Sequence, residues 1–208
     1  RAQALGLRQT ETVSFPSMLR AGEALRLADV RALGADYPLR GSFRIAEGDE
    51  APAREVSGAP APGSAWLSRG GASLLGARVG DTLKLGNAEL RLAALVLQEP
   101  DAALDYFNVA PRVFIALDDL EATGLVQEGS RITWRLALAG PDAAMQRHLG
   151  WADAELKKPE VRGLRLESLF TGRPEMRTTL DRAEKFLNLV ALFAALLSAE
   201  ALELGARG

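Results

Sequence analysis

Thr10 to Phe15 alternates Thr, Thr and Ser with Glu, Val and Phe, the period of a half-buried strand, and Pro16 predicts its end. Gly22 predicts a turn. Glu23 to Leu33 (EALRLADVRAL) is rich in helix formers, yet Leu25 and Leu27 on one side against Ala24, Arg26, Ala28 and Val30 on the other fit a strand, so the pattern leaves both open. Residues 46–64 hold Pro52, Pro60, Pro62 and three glycines with few large apolar groups, which predicts a loop at the edge of a compact unit and a subdomain boundary. From Ala65 the chain predicts a strand (AWLS), a short helix (GGASLLG), a turn at Gly80-Asp81, a strand (LKL), a turn at Gly86-Asn87, and a strand (AELRLAALVL) ending at Pro100. Val113–Ala116 and Arg131–Leu138 predict further strands around a short helix at Leu117–Thr123. Pro141 suits the first turn of a helix running to about Leu156, because its missing N–H costs nothing there. Gly163–Ser168 (GLRLES) predicts a last strand. No internal repeat is present.

Arg173 to about Leu204 has helical composition. Within it Met176, Leu180, Ala183, Leu187, Val190, Ala194 and Leu197 recur at steps of four and three, the seam of a heptad repeat. Before Phe186 the other faces carry Arg177, Asp181, Arg182, Glu184 and Lys185; after it Leu189, Leu192, Phe193 and Leu196 make nearly every face apolar. That change of surface predicts a stalk passing from water toward lipid, with Leu189, Phe193 and Leu196 exposed or covered only by a neighbouring chain. Phe186–Ala199 is shorter than the roughly 20 residues a membrane crossing needs, and a buried core helix is the competing reading.

Composition narrows the chemistry. The chain has 208 residues, 48% hydrophobic and 25% charged, with a formal net charge of -2, enough for a core and without the charge bias of a nucleic-acid binder. There is no cysteine, which excludes disulfides, thiolate metal sites and cysteine nucleophiles. None of Lys84, Lys157, Lys158 or Lys185 sits in a phosphate-cradling Gly-Lys-Ser/Thr arrangement, and no serine has the glycines of a nucleophile elbow. His148, the one histidine, is expected on the polar side of its helix. Glu99, Asp101 and Asp105, and Asp118, Asp119 and Glu121, read as solvated turn residues and helix caps respectively, with acid–base or calcium chemistry as the alternative. Trp66, Trp134 and Trp151 read as core, and Trp134 is expected to face inward with Arg131, Thr133 and Arg135 pointing the other way. No catalytic, cofactor-binding or metal-ligating residue is assigned. The chain opens at Arg1 without an initiator methionine, and reads as a piece of something longer.

Several motifs together carry a family resemblance: Glu11-Thr-Val-Ser-Phe-Pro-Ser-Met18, Asp36-Tyr-Pro-Leu-Arg-Gly41, AWLS…LLGARVGDTLKLG from Ala65 to Gly86, Gln98-Glu-Pro-Asp101, Ala110-Pro-Arg-Val113 and Gly129-Ser-Arg-Ile-Thr-Trp-Arg135. With these the chain resembles the extracytoplasmic domain of an ABC transporter permease of the MacB/FtsX superfamily, its YbbP-like branch. The resemblance implies an α+β fold: a porter-like α/β sandwich over residues 1–41 and 129–172, a small inserted β-rich Sabre-like part over 42–128, and a stalk helix over 173–204 leading toward a second transmembrane helix. It favours the strand reading of Glu23–Leu33. It implies a non-catalytic periplasmic domain at the inner membrane, with no cofactor of its own. A separate ABC ATPase subunit, a second permease copy in a dimer, and an esterase or lysophospholipase, lipid or lipoprotein as envelope partner are implied in the same way. An enzyme using Asp101 and Asp105 and a free-standing soluble binding domain are the other readings.

Overall fold

Nine strands and two helices account for most of the residues described in this computed structural model, which are 2–48, 50–100, 110–127, 129–158, 160, 161, 163–167 and 186. The strands are β1 (Arg8–Ala21), β2 (Ala24–Leu33), β3 (Phe43–Ala46), β4 (Arg54–Val56), β5 (Ser64–Ser68), β6 (Thr82–Leu85), β7 (Ala88–Gln98), β8 (Arg112–Ala116) and β9 (Thr133–Ala139). The helices are α1 (Arg69–Leu75) and α2 (Asp142–Leu156). The chain divides into a unit over 1–148 and another over 149–208.

The strands form one mixed sheet in the order β4-β3-β7-β5-β8-β2-β1-β6, with β9 added on β1. Because β6 also pairs with β7, the segment β7-β5-β8-β2-β1-β6 closes into a six-stranded ring. Two long strands make the closure possible by changing partner midway. β1 keeps β2 on one side while the other side passes from β9 (Arg8–Ser14) to β6 (Leu19–Ala21). β7 keeps β5 on one side while the other passes from β6 to β3.

Pro16 does not end β1, contrary to the sequence expectation. The amide of Asp29 bonds Pro111 O, away from β1, so the opposed pair Pro16/Asp29 is a non-hydrogen-bonded one and the backbone of Pro16 faces outward. The outer side of β1 has no strand between Ser14 and Leu19, so a missing donor there breaks no ladder bond.

The ring encloses the larger core: Val13, Phe15, Leu19, Val30, Leu67, Leu83, Leu92, Val113 and Ile115 point inward, and Ala72 and Leu75 of α1 and Leu120 join them. A second cluster lies on the outer face, where Phe43 packs edge-on against Trp66 (5.4 Å) and Phe114 (5.3 Å). β8 is therefore buried on both faces, as its unbroken apolar run requires.

β1 and β2 were expected in the porter-like part, and β5 to β8 in the inserted part. They share one ring and one core, so residues 46–64 do not connect two separately packed bodies; they carry the edge strand β4. Trp66 is buried as expected. Trp134 is 58% exposed, a correction: it does face the same side as its partner Val13, but β9 lies outside the ring. Leu117–Thr123 forms two successive 3-10 turns in place of one helix. The helix after Pro141 begins at Asp142, with the Pro141 carbonyl accepting from the amides of Ala144 and Met145.

In the second unit, α2 ends in the exposed ion pairs Lys157–Asp153 and Lys158–Glu155. Residues 163–167 form no strand, and Leu164 is 71% exposed, which corrects the expected GLRLES strand. Of the expected stalk only Phe186, helical and exposed, is described; the heptad seam and Leu189, Phe193 and Leu196 lie outside the described residues. Among the described residues no helix is long and apolar enough to cross a membrane.

Candidate functional site

The most concentrated chemistry in the first unit is an ion-pair cluster on the outer face of the ring. Glu99 follows β7 and is 9% exposed; Arg112 opens β8 and is 7% exposed. Arg112 Nη1 donates to Glu99 Oε1 at 2.9 Å, and Arg31 Nη1 lies 3.5 Å from Glu99 Oε2. Arg31 Nε in turn meets Asp29 Oδ2 at 3.5 Å. Two cations and two carboxylates thus share one patch where β2, β7 and β8 come together. Glu99 was expected as a solvated turn residue; it is instead the buried anion of this cluster. A carboxylate held by two guanidiniums in a low-dielectric setting keeps its charge and serves poorly as a proton donor.

The pair joins two of the sequence motifs. Gln98-Glu-Pro-Asp101 supplies Glu99, and Ala110-Pro-Arg-Val113 supplies Arg112. Other motif residues work in the same structural way. Ser68 ends β5 and accepts from the amides of Gly71, the first turn of α1, at 3.2 Å and of Arg112 at 3.1 Å, so one hydroxyl ties strand, helix and neighbouring strand. A Cβ on Gly71 would stand 2.9 Å from Pro111 Cβ and from Ser68 Oγ, which explains why that turn takes glycine. In Leu75-Gly-Ala-Arg-Val-Gly-Asp81, Gly76 ends α1 with φ +64, and Asp81 Oδ2 accepts from the Arg78 amide at 2.7 Å as the chain turns into β6.

The remaining acidic residues divide. Asp119 Oδ1 and Oδ2 accept from the Gly63 amide at 3.1 and 2.9 Å, so it caps the start of β5 and not its own turn. Asp118 and Glu121 lie in the two 3-10 turns, where no side-chain cap bond forms. Asp101 and Asp105 lie outside the described residues. His148 is 8% exposed, on the buried side of α2 together with Ala144 one turn earlier, which corrects its expected polar placement. Among the described residues no group of three or more His, Asp or Glu side chains converges to hold a metal. A cleft of about 180 Å³ opens beside Pro16, in the gap between β9 and β6, lined by Phe15–Ser17, Leu125 and Ser130–Ile132.

No protein-family model matches the chain. Over 202 residues, 96% of its length, it is 35% identical to the uncharacterized ABC transporter permease YbbP of Escherichia coli (strain K12). It spans 23% of that protein's length. Among solved structures it is similar to the periplasmic region of MacB from Actinobacillus actinomycetemcomitans, with a TM-score of 0.45 and 14% identity, over 71% of this chain and 66% of that one. Along almost all of its length, then, the chain is the counterpart of a segment of an ABC transporter permease of the YbbP kind, the relationship that its motifs carry.

Proposed function

We propose that this chain is the non-catalytic periplasmic domain of an inner-membrane ABC transporter permease. One observation carries the reading: 35% identity over 202 residues to a permease of which the chain would make up 23%. In this reading a separate ATPase subunit supplies the energy, a second permease copy completes the transporter, and the domain transmits movement to a lipid, a lipoprotein or another envelope partner. The described geometry supports a mechanical role. The strongest electrostatics, Glu99 with Arg112 and Arg31, brace strands against one another and leave no carboxylate in position to exchange protons with a substrate. The division into a porter-like part (1–41 and 129–172) and an inserted part (42–128) is proposed as an account of how the chain is interleaved, with the barrel core shared by both.

The full-length protein tests the location. This segment has no cysteine, so Ser73→Cys on the exposed side of α1 introduces a single thiol. In spheroplasts a membrane-impermeant maleimide is expected to label it without permeabilisation. Labelling of Ser73→Cys only after the membrane is opened, while a known periplasmic thiol reacts, would overturn the assignment.

A further inference from the structure

The outer edge of β9 is the place where the structure leaves most unfinished. β9 pairs with β1 and, among the described residues, with no other strand. The direction of its open backbone groups follows from the sheet register. Asp29 and Arg31 turn their backbone groups toward β8, so Ser14, opposite Arg31, turns its own toward β9 and meets Thr133. Thr133, Arg135 and Ala137 therefore bond inward to β1. The N–H and C=O groups of Trp134, Leu136 and Leu138 point to the open edge.

The same three residues put their side chains on one face, Trp134 58% and Leu136 57% exposed. Native sheets usually blunt an open edge with proline, a bulge or inward-pointing charge. From Thr133 to Ala139 there is no proline or glycine, and the single charge, Arg135, sits on the opposite face from the apolar row.

We propose that this edge pairs with the β9 edge of a second copy of the chain, antiparallel about a two-fold axis through Leu136. The self-complementarity of the strand selects both occupant and register. A two-fold perpendicular to the sheet keeps each face on its own side, so the axis must pass through a residue and not between two. Centred on Leu136, the pairing sets Leu136 against Leu136 and Trp134 against Leu138, with the open backbone groups of all three residues facing their partners. Arg135 then faces Ala137. Centred one residue earlier, it would oppose Arg135 to Arg135, which like-charge repulsion disfavours, and would turn inward-bonded residues to the junction. Seven residues a side give an interface below the ~1,200 Å² of a standard complex. The isolated chain should therefore associate with a Kd of about 1 μM or weaker. This inference stands on the edge geometry and does not require the permease reading.

Sedimentation equilibrium on the 208-residue chain tests it, together with oxidation of single-cysteine variants. Expected is a monomer–dimer equilibrium weakened at least tenfold by Leu136→Lys, which sets two ammonium groups face to face, and preserved by Leu136→Ile. Under oxidation Leu136→Cys should form a disulfide dimer, since paired Cα atoms lie ~5.5 Å apart, whereas Trp134→Cys, displaced by four residues from its own copy, should not. A chain that stays monomeric to millimolar concentration overturns the proposal. So does a dimer indifferent to Leu136→Lys, or equal cross-linking of the Trp134→Cys and Leu136→Cys variants.

Discussion

β8 and β9 are both short apolar strands, RVFIA and TWRLALA, yet every residue of the first is buried and the first five of the second are exposed. β8 lies between β5 and β2 within the ring, with the main core on one face and the Phe43 cluster on the other. β9 hangs on one side of β1 beyond the point where the ring closes through β6. The difference lies in neighbours and not in composition. An apolar period tells which way a side chain points, while the topology decides whether anything lies there to cover it.

The largest effect should come from the ring itself. Phe114→Ala removes a ring, 1% exposed, that packs against Phe43, and should cost about 3–5 kcal/mol in denaturant unfolding. A value under about 1 kcal/mol would mean that the two-faced burial of β8 is not holding the fold. Next, Glu99→Ala strands the buried Arg112 guanidinium and should cost roughly 3–5 kcal/mol. Replacing both Glu99 and Arg112 with leucine should restore most of that loss, which a double-mutant cycle reads directly. Additive losses would show that the two side chains act independently. Gly71→Ala should cost on the order of 1–3 kcal/mol, because its Cβ meets Pro111 backbone as well as Ser68. Smallest, Trp134→Thr in the monomer should shift stability by no more than about 0.5 kcal/mol despite the size of the side chain removed. A loss above about 2 kcal/mol would place Trp134 in a core and erase the contrast between the two strands.

What the sequence showed depended on whether a residue's fate was local. The Gly86-Asn87 hairpin, the helix after Pro141, the short helix of GGASLLG and the strands on either side of them were legible, because turn chemistry and capping act over a few residues. β2 was undecided from its own pattern and settled by family resemblance. Pro16 misled because a proline breaks a strand only where its missing donor had a partner, and the partner change along β1 is not local information. Glu99 misled because Pro100 and Asp101 make its surroundings look like a turn, whereas its fate is set by Arg112 and Arg31 on two other strands. His148 sits on a helix whose weak amphipathicity marks no clear polar face. The motifs read for resemblance proved to be the joints of the ring, where Ser68, Gly71, Asp81, Glu99 and Arg112 hold its elements together.

Native-state hydrogen exchange, at concentrations where the chain is monomeric, tests the central structural claim most directly: one closed barrel built from both expected parts, with β9 as an open appendage. The account predicts that the ladder amides of β1 and β2 exchange in a single cooperative step with those of β5, β7 and β8, and that the amides of Trp134, Leu136 and Leu138 exchange far faster. If the β1–β2 hairpin opens independently while β5, β7 and β8 stay protected, or if the outer amides of β9 are as slow as those of the ring, the account is contradicted.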